Sequence, residues 1–131
     1  MVEQKKILIV EDDEHHSRAY NIKLQKLGFL TLFARDGGEA LEIITANRPD
    51  VIILDLMLPK RDGFWVLEQL KRNPDFSKIP VIVLSNLGQE AHKEKAFALG
   101  AKEYLVKVDY DLNTLVDKVL YYVKEGEKNV S

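Results

Sequence analysis

Apolar positions along the chain fall into short unbroken runs, and each run ends on a residue capable of chemistry. Residues 51–54 are wholly aliphatic and stop at Asp55, with Pro59 four positions on. Residues 7–10 run into Glu11, Asp12 and Asp13, residues 81–84 into Ser85, and residues 104–106 into Lys107. An uninterrupted apolar run of this length predicts a strand buried on both faces. The carboxyl ends of such strands are where an open parallel sheet gathers the groups that meet ligands. Asp55 is thereby expected at a strand tip, in a crevice.

Between the runs the pattern takes a helical period. Residues 6–10 predict the first strand, and the acids Glu11 to Glu14 suit the positive end of a helix reaching to about residue 27, with Tyr20, Leu24 and Leu27 on one face and Gly28 after it. A weaker second strand is predicted over 29–34. Asp36, with Glu39 three positions later, then resembles a capping box for a helix that turns Ala40, Leu41 and Ile44 inward. Beyond the 51–59 stretch, Phe64, Leu67 and Leu70 mark a helix ending near Asn73 and Pro74. Pro80 opens the fourth strand, a helix over about 89–99 stops at Gly100, and the fifth strand covers about 103–107. Asp109 or Asp111 caps the last helix, whose stripe is Leu112, Leu115, Val116, Val119 and Val123, and residues 126–131 are expected to form a frayed polar tail.

Five strands alternating with helices require right-handed crossovers and a sheet covered on both faces. The predicted fold is therefore α/β, a doubly wound five-stranded parallel sheet of order 2-1-3-4-5 with five helices. Residues 1–131 form one domain with a core at about 5–125. In that order the first and third strands are neighbours, so Glu11 and Asp12 come beside Asp55 where the winding reverses.

Composition narrows the function classes. A net charge of −2 excludes a global field drawing the chain to nucleic acid or to an anionic membrane. With no cysteine there is no disulfide framework or thiolate metal site, and no apolar run approaches a membrane span. The expectation is a cytoplasmic protein with no membrane insertion.

Clustered carboxylates call for a cation. Two of them about 4 Å apart repel by about 4 kcal/mol at an effective dielectric of 20. All-oxygen donors in a shallow cleft favour Mg²⁺ over zinc or copper. An acid beside Mg²⁺, with an amine and a hydroxyl converging on it, is arranged to receive a phosphoryl group, with Asp55 as nucleophile.

The segments ILIVEDDE, VIILDLMLP, the pair Asp62–Gly63, VIVLS and YLVK, in this order, resemble the receiver domain of two-component response regulators, over residues 5–125. The resemblance implies that Asp55 takes phosphate from the phosphohistidine of a sensor histidine kinase or phosphotransfer protein. It implies that Asp12, Asp55 and the backbone carbonyl of Met57 bind Mg²⁺ directly, with Glu11 acting through water. Ser85 and Lys107 would hold the phosphoryl oxygens. Ser85 and Tyr104 would form the switch, and the fourth helix, fifth strand and fifth helix the output face. The chain departs from the family at Val108, where proline is usual and where a trans bond is expected, and at Asn86, where a small residue is common. Met57 and Leu87 are expected to flank the approach of water, and Asn86 to contact the phosphoryl group or narrow the entrance.

Rival readings are weaker. An aspartate-nucleophile phosphatase of the haloacid dehalogenase type needs a second acid two residues after the first, where this chain has Met57. A flavodoxin-like nucleotide or flavin site would be repelled by Glu11, Asp12 and Asp13. The alternative kept is a receiver-like adaptor that binds partners without phosphorylation. His15 and His16 look at first like metal ligands, but neighbours on a helix point about 100° apart, which predicts solvated histidines. With no DNA-binding region after the receiver, the expectation is a stand-alone regulator, a phosphoacceptor rather than an enzyme. It would not bind nucleic acid directly, and would act by docking on a downstream target protein, as an intermediate in a phosphorelay, or as a homodimer through the output face, with Tyr121 and Tyr122 either on such a surface or packed onto the sheet.

Overall fold

The structure, a computed structural model, describes residues 4–128. Ten elements alternate: β1 (Lys6–Val10), α1 (Glu14–Lys26), β2 (Leu30–Ala34), α2 (Gly37–Asn47), β3 (Val51–Leu54), α3 (Gly63–Arg72), β4 (Val81–Ser85), α4 (Glu90–Ala98), β5 (Glu103–Val106) and α5 (Leu112–Lys128). The strands form one parallel sheet in the order β2-β1-β3-β4-β5, the order expected.

The period of two along each central strand divides the interior into two cores. Leu8, Val10, Ile52, Leu54, Val81 and Val83 face one way and meet Ala40 and Ile44 of α2, Val66, Leu67 and Leu70 of α3, and Ala96 of α4. Ile7, Ile9, Val51, Ile53, Ile82 and Leu84 face the other way and meet Tyr20 and Leu24 of α1 and Leu115, Val116, Val119 and Val123 of α5. The apolar runs are unbroken because both faces are covered. The edge strand β2 keeps Leu30 and Phe33 exposed, which is why its pattern is weaker.

Local chemistry sets the helix ends. Asp13, Asp36 and Asp62 each accept a backbone N–H at the start of α1, α2 and α3. Asp111, not Asp109, serves α5, accepting from Asn113 N at 3.0 Å. Gly28 and Gly100 close α1 and α4 at φ of +93° and +103°, a region that side chains with a Cβ rarely adopt.

Two expectations need correction. Leu27 is the C-cap of α1 and is 45% exposed, so it lies off the buried face that Tyr20 and Leu24 share. The polar end of the chain is helical up to Lys128, because three residues of continued α5 cost little once its stripe is anchored on the sheet. The rest of the expected tail, 129–131, lies outside the described residues. Among the described residues there is no cis peptide bond, in keeping with the trans geometry expected at Val108.

Candidate functional site

The side chains of the site stand at the carboxyl edge of the sheet, and ladder hydrogen bonds fix their backbones. Glu11 N donates to Ala34 O at 3.0 Å, Asp55 N to Val10 O at 3.0 Å, and Lys107 N to Ser85 O at 2.9 Å. Each of these three residues lies one position past its strand, held by the neighbouring strand's last carbonyl. The order of the strands therefore decides which side chains meet.

Asp55 is 5% exposed, Glu11 8% and Ser85 0%. Asp55 Oδ1 accepts from Ser85 Oγ and from Met57 N, both at 3.0 Å, and Oδ2 accepts from Lys107 Nζ at 2.8 Å. Lys107 also donates to Glu11 Oε2. Burial raises the Glu11 carboxyl above its ordinary value against the opposing pull of Lys107, and the charge of Asp55 adds to the rise. Burial alone would lower Lys107, but its hydrogen bonds with Asp55 and Glu11, and their charges, outweigh it and hold the ammonium above its usual range. The lysine that could pass for a surface side chain in the sequence is the counter-ion of two buried acids.

Glu11, Asp12 and Asp55 each offer a carboxylate oxygen within 4.8 Å of the others. Three oxygens so close, two on buried residues and one on the exposed Asp12, suit a hard divalent ion that keeps part of its water shell. The donor set fits Mg²⁺.

Around this centre the loops are shaped by close packing. A Cβ on Gly63 would come 2.5 Å from Asp55 O and 2.7 Å from Leu56 Cα, so only glycine lets α3 start directly behind the acid. Gly37 N, at the start of α2, donates to Arg61 O at 2.9 Å, and a Cβ there would lie 2.5 Å from that same oxygen. The loop after Asp55 is thus clasped from two sides. The Asp62–Gly63 pair was visible in the sequence, whereas the Gly37–Arg61 contact joins residues 24 positions apart and left no local signal.

The remaining candidates surround the same crevice. Met57 is 55% exposed and, with Leu87, Asp12 and Phe64, lines an open groove of about 450 Å³. Asn86 is exposed, and Leu87 N lies 3.4 Å from Ser85 Oγ. Tyr104 is half-buried on β5 and donates to Leu87 O, which ties the aromatic side chain to the loop following Ser85. Tyr122 packs toward the sheet and donates to Glu103 Oε1 at 2.8 Å, while Tyr121 is 54% exposed. His15 and His16 are both exposed, as expected, and His16 also brings its Nδ1 to 3.4 Å from Lys107 Nζ.

A sheet of this order, with an acid cluster at its switch point, defines a CheY-like signalling domain. The chain belongs to the response regulator receiver domain family, which matches residues 7–120. Members of this family are phosphoacceptor signalling domains of two-component systems. The chain is 39% identical over 123 residues to the DNA-binding dual master transcriptional regulator RpaA of Synechocystis, covering 94% of this chain and 51% of that protein. It spans about half the length of the curated relatives it matches. Among solved structures, the receiver domain of a Francisella response regulator superposes with a TM-score of 0.85 at 32% identity, covering 94% of this chain and 99% of that one. The phosphorylated cyanobacterial phytochrome response regulator RcpA gives 0.78 at 35%, covering 89% of each chain. No helix among the described residues is long and apolar enough to cross a membrane.

Proposed function

We propose that Asp55 is the phosphoacceptor of a cytoplasmic regulator, taking its phosphoryl group from the phosphohistidine of a sensor histidine kinase or of a phosphotransfer protein. The observation that carries this reading is the position of Asp55, held between the Ser85 hydroxyl and the Lys107 ammonium within the three-carboxylate cluster. A carboxylate oxygen of Asp55 attacks phosphorus, the P–N bond to the donor imidazole breaks, and the imidazole leaves with a proton from solvent. Lys107 and Ser85 hold the phosphoryl oxygens. Asp12, Asp55 and the Met57 carbonyl would bind Mg²⁺, with Glu11 through water, and the ion would neutralise charge on the transferring group.

The switch follows from two bonds that exclude a third. Ser85 now donates to Asp55, and Tyr104 to the carbonyl of Leu87, two residues after Ser85. A phosphoryl group on Asp55 gives the hydroxyl a new acceptor, draws this loop toward the site and loosens the tyrosine's present bond. Tyr104 then turns inward, and α4, β5 and α5 present a changed surface. That surface docks on a downstream target protein or on a second copy, without direct contact to nucleic acid.

Incubation with acetyl phosphate and Mg²⁺ tests the reading. One hydroxylamine-labile and alkali-labile phosphoryl group per chain is expected by mass spectrometry. No incorporation with Mg²⁺ present would favour the adaptor that works unphosphorylated.

Met57 and Leu87 set the lifetime of the product by keeping the groove above Asp55 apolar. The double substitution Met57→Asn with Leu87→Lys should speed loss of the phosphoryl group by at least about threefold, or about 0.6 kcal/mol of barrier. An unchanged half-time would remove both residues from this role.

A further inference from the structure

His16 stands closest to the chemistry among the groups that phosphoryl transfer leaves unused. It lies in the first turn of α1, just after the N-cap Asp13. Its Nδ1 is 3.4 Å from Lys107 Nζ, and its Nε2 is 3.6 Å from Asp13 Oδ2. Asp13 is itself fixed, since its Oδ1 accepts from His15 N at 2.9 Å.

An ammonium has three N–H donors. Two of those on Lys107 go to Asp55 and Glu11, and the third direction faces His16. A neutral imidazole carries a proton on one nitrogen and a lone pair on the other. The Asp13 carboxylate on the Nε2 side favours the proton there and leaves the Nδ1 lone pair toward Lys107. We propose that neutral His16 is a positioning residue that holds the third N–H of Lys107 and so aims the ammonium at the phosphoacceptor, and that protonation of His16 releases this hold.

The inference rests on the phosphoryl-transfer reading of Asp55 and adds a regulator to it. The groups facing His16 are Asp13 from the turn before α1, Lys107 after β5, and Tyr110 before α5. Its own helix adds His15 and Tyr20, and the neutral Asn86 follows β4. Apart from Asp13, these residues line one cavity of about 410 Å³ with His16. Burial raises both phenols, so Tyr20 and Tyr110 stay neutral across the range in which histidine titrates. Once protonated, His16 offers no acceptor and sets a second positive charge beside the ammonium.

The test uses the full chain and acetyl phosphate with Mg²⁺, a donor that needs no docking surface on α1. Phosphorylation rates of the wild type, His16→Leu and His16→Gln are compared from about pH 5.5 to about pH 8, the interval in which an imidazole titrates. His16 is exposed, so the variants should fold, and thermal melting checks this. At the high end His16→Leu should be about fivefold slower than the wild type, and His16→Gln, whose amide oxygen accepts at every pH, within about twofold of it. As the pH falls, the wild-type advantage over His16→Leu should shrink toward one while that of His16→Gln persists. A wild-type to His16→Leu ratio that is one throughout, or that does not change with pH, overturns the proposal. A wild type that takes up no phosphate at any pH overturns the reading of Asp55 and this inference with it.

Discussion

Replacing Asp55 by asparagine is expected to abolish phosphate incorporation while leaving the fold within a few degrees of its wild-type melting temperature. The two outcomes separate because the two oxygens of Asp55 have different work. Oδ1 accepts from Ser85 Oγ and from Met57 N, and an amide oxygen can keep both bonds. Only the pairing of Oδ2 with Lys107 is lost, and Lys107 retains Glu11. Removing one of three crowded acids also relieves repulsion that helps to raise Glu11. The two changes in charge energy oppose each other, so little net change in stability should remain. The chemistry has no such compensation, since an amide cannot form the acyl phosphate, and the rate should fall by about a thousandfold or more. Mass spectrometry after acetyl phosphate treatment checks the first outcome and a thermal melt the second. Phosphate that moved to Asp12 or Asp13 in the wild type would displace Asp55 from its role.

Strand tips and sheet order were legible in the sequence because β1, β3 and β4 are buried on both faces and so carry no polar residue over 7–10, 51–54 and 81–84. Each run could therefore be followed to its terminal acid or hydroxyl, and the order of the strands then placed Glu11 and Asp12 beside Asp55. Lys107 was harder. Its place at a strand end was visible, but on the edge strand β5 every residue is only half-buried, so the pattern separated it less sharply from a surface side chain. The approach of His16 to Lys107 was hidden for a different reason. Helical spacing shows which face of α1 His16 shares, but not that the end of a strand 91 residues away brings an amine to it. The Gly37–Arg61 clasp was hidden for the same reason. Local period encodes burial, whereas contacts between loops depend on the assembled edge of the sheet.

Lys107→Met should be destabilised by about 3 kcal/mol near neutral pH, and far less near pH 5, because it leaves two buried acids without their cation. The side chains concerned are 10% exposed for Lys107, 3% for Glu11 and 6% for Asp55. Glu11 already titrates above its ordinary value, chiefly through burial, so the folded chain holds its proton more firmly than the unfolded chain does. Its contribution to stability therefore falls as the pH rises through the interval between those two values, and the penalty persists at neutrality. Lys107 acts in the opposite sense. Raised despite burial, by Asp55 and Glu11, it stabilises fully at neutral pH and loses that effect only as the pH climbs through its folded value. Without the ammonium, Glu11 should rise further and its interval move toward neutrality, which makes the loss pH-dependent. Millimolar Mg²⁺ should raise the melting temperature of the variant more than that of the wild type, since a cation at the acid cluster replaces the missing charge. Phosphorylation should still be slowed about a hundredfold with Mg²⁺ present, because among the described residues Lys107 is the amine that bonds to Asp55. Denaturant unfolding at both pH values, with and without the metal, distinguishes the cases. Equal destabilisation at both would mean that Lys107 serves by packing its stem, and the charge balance proposed for the site would be wrong.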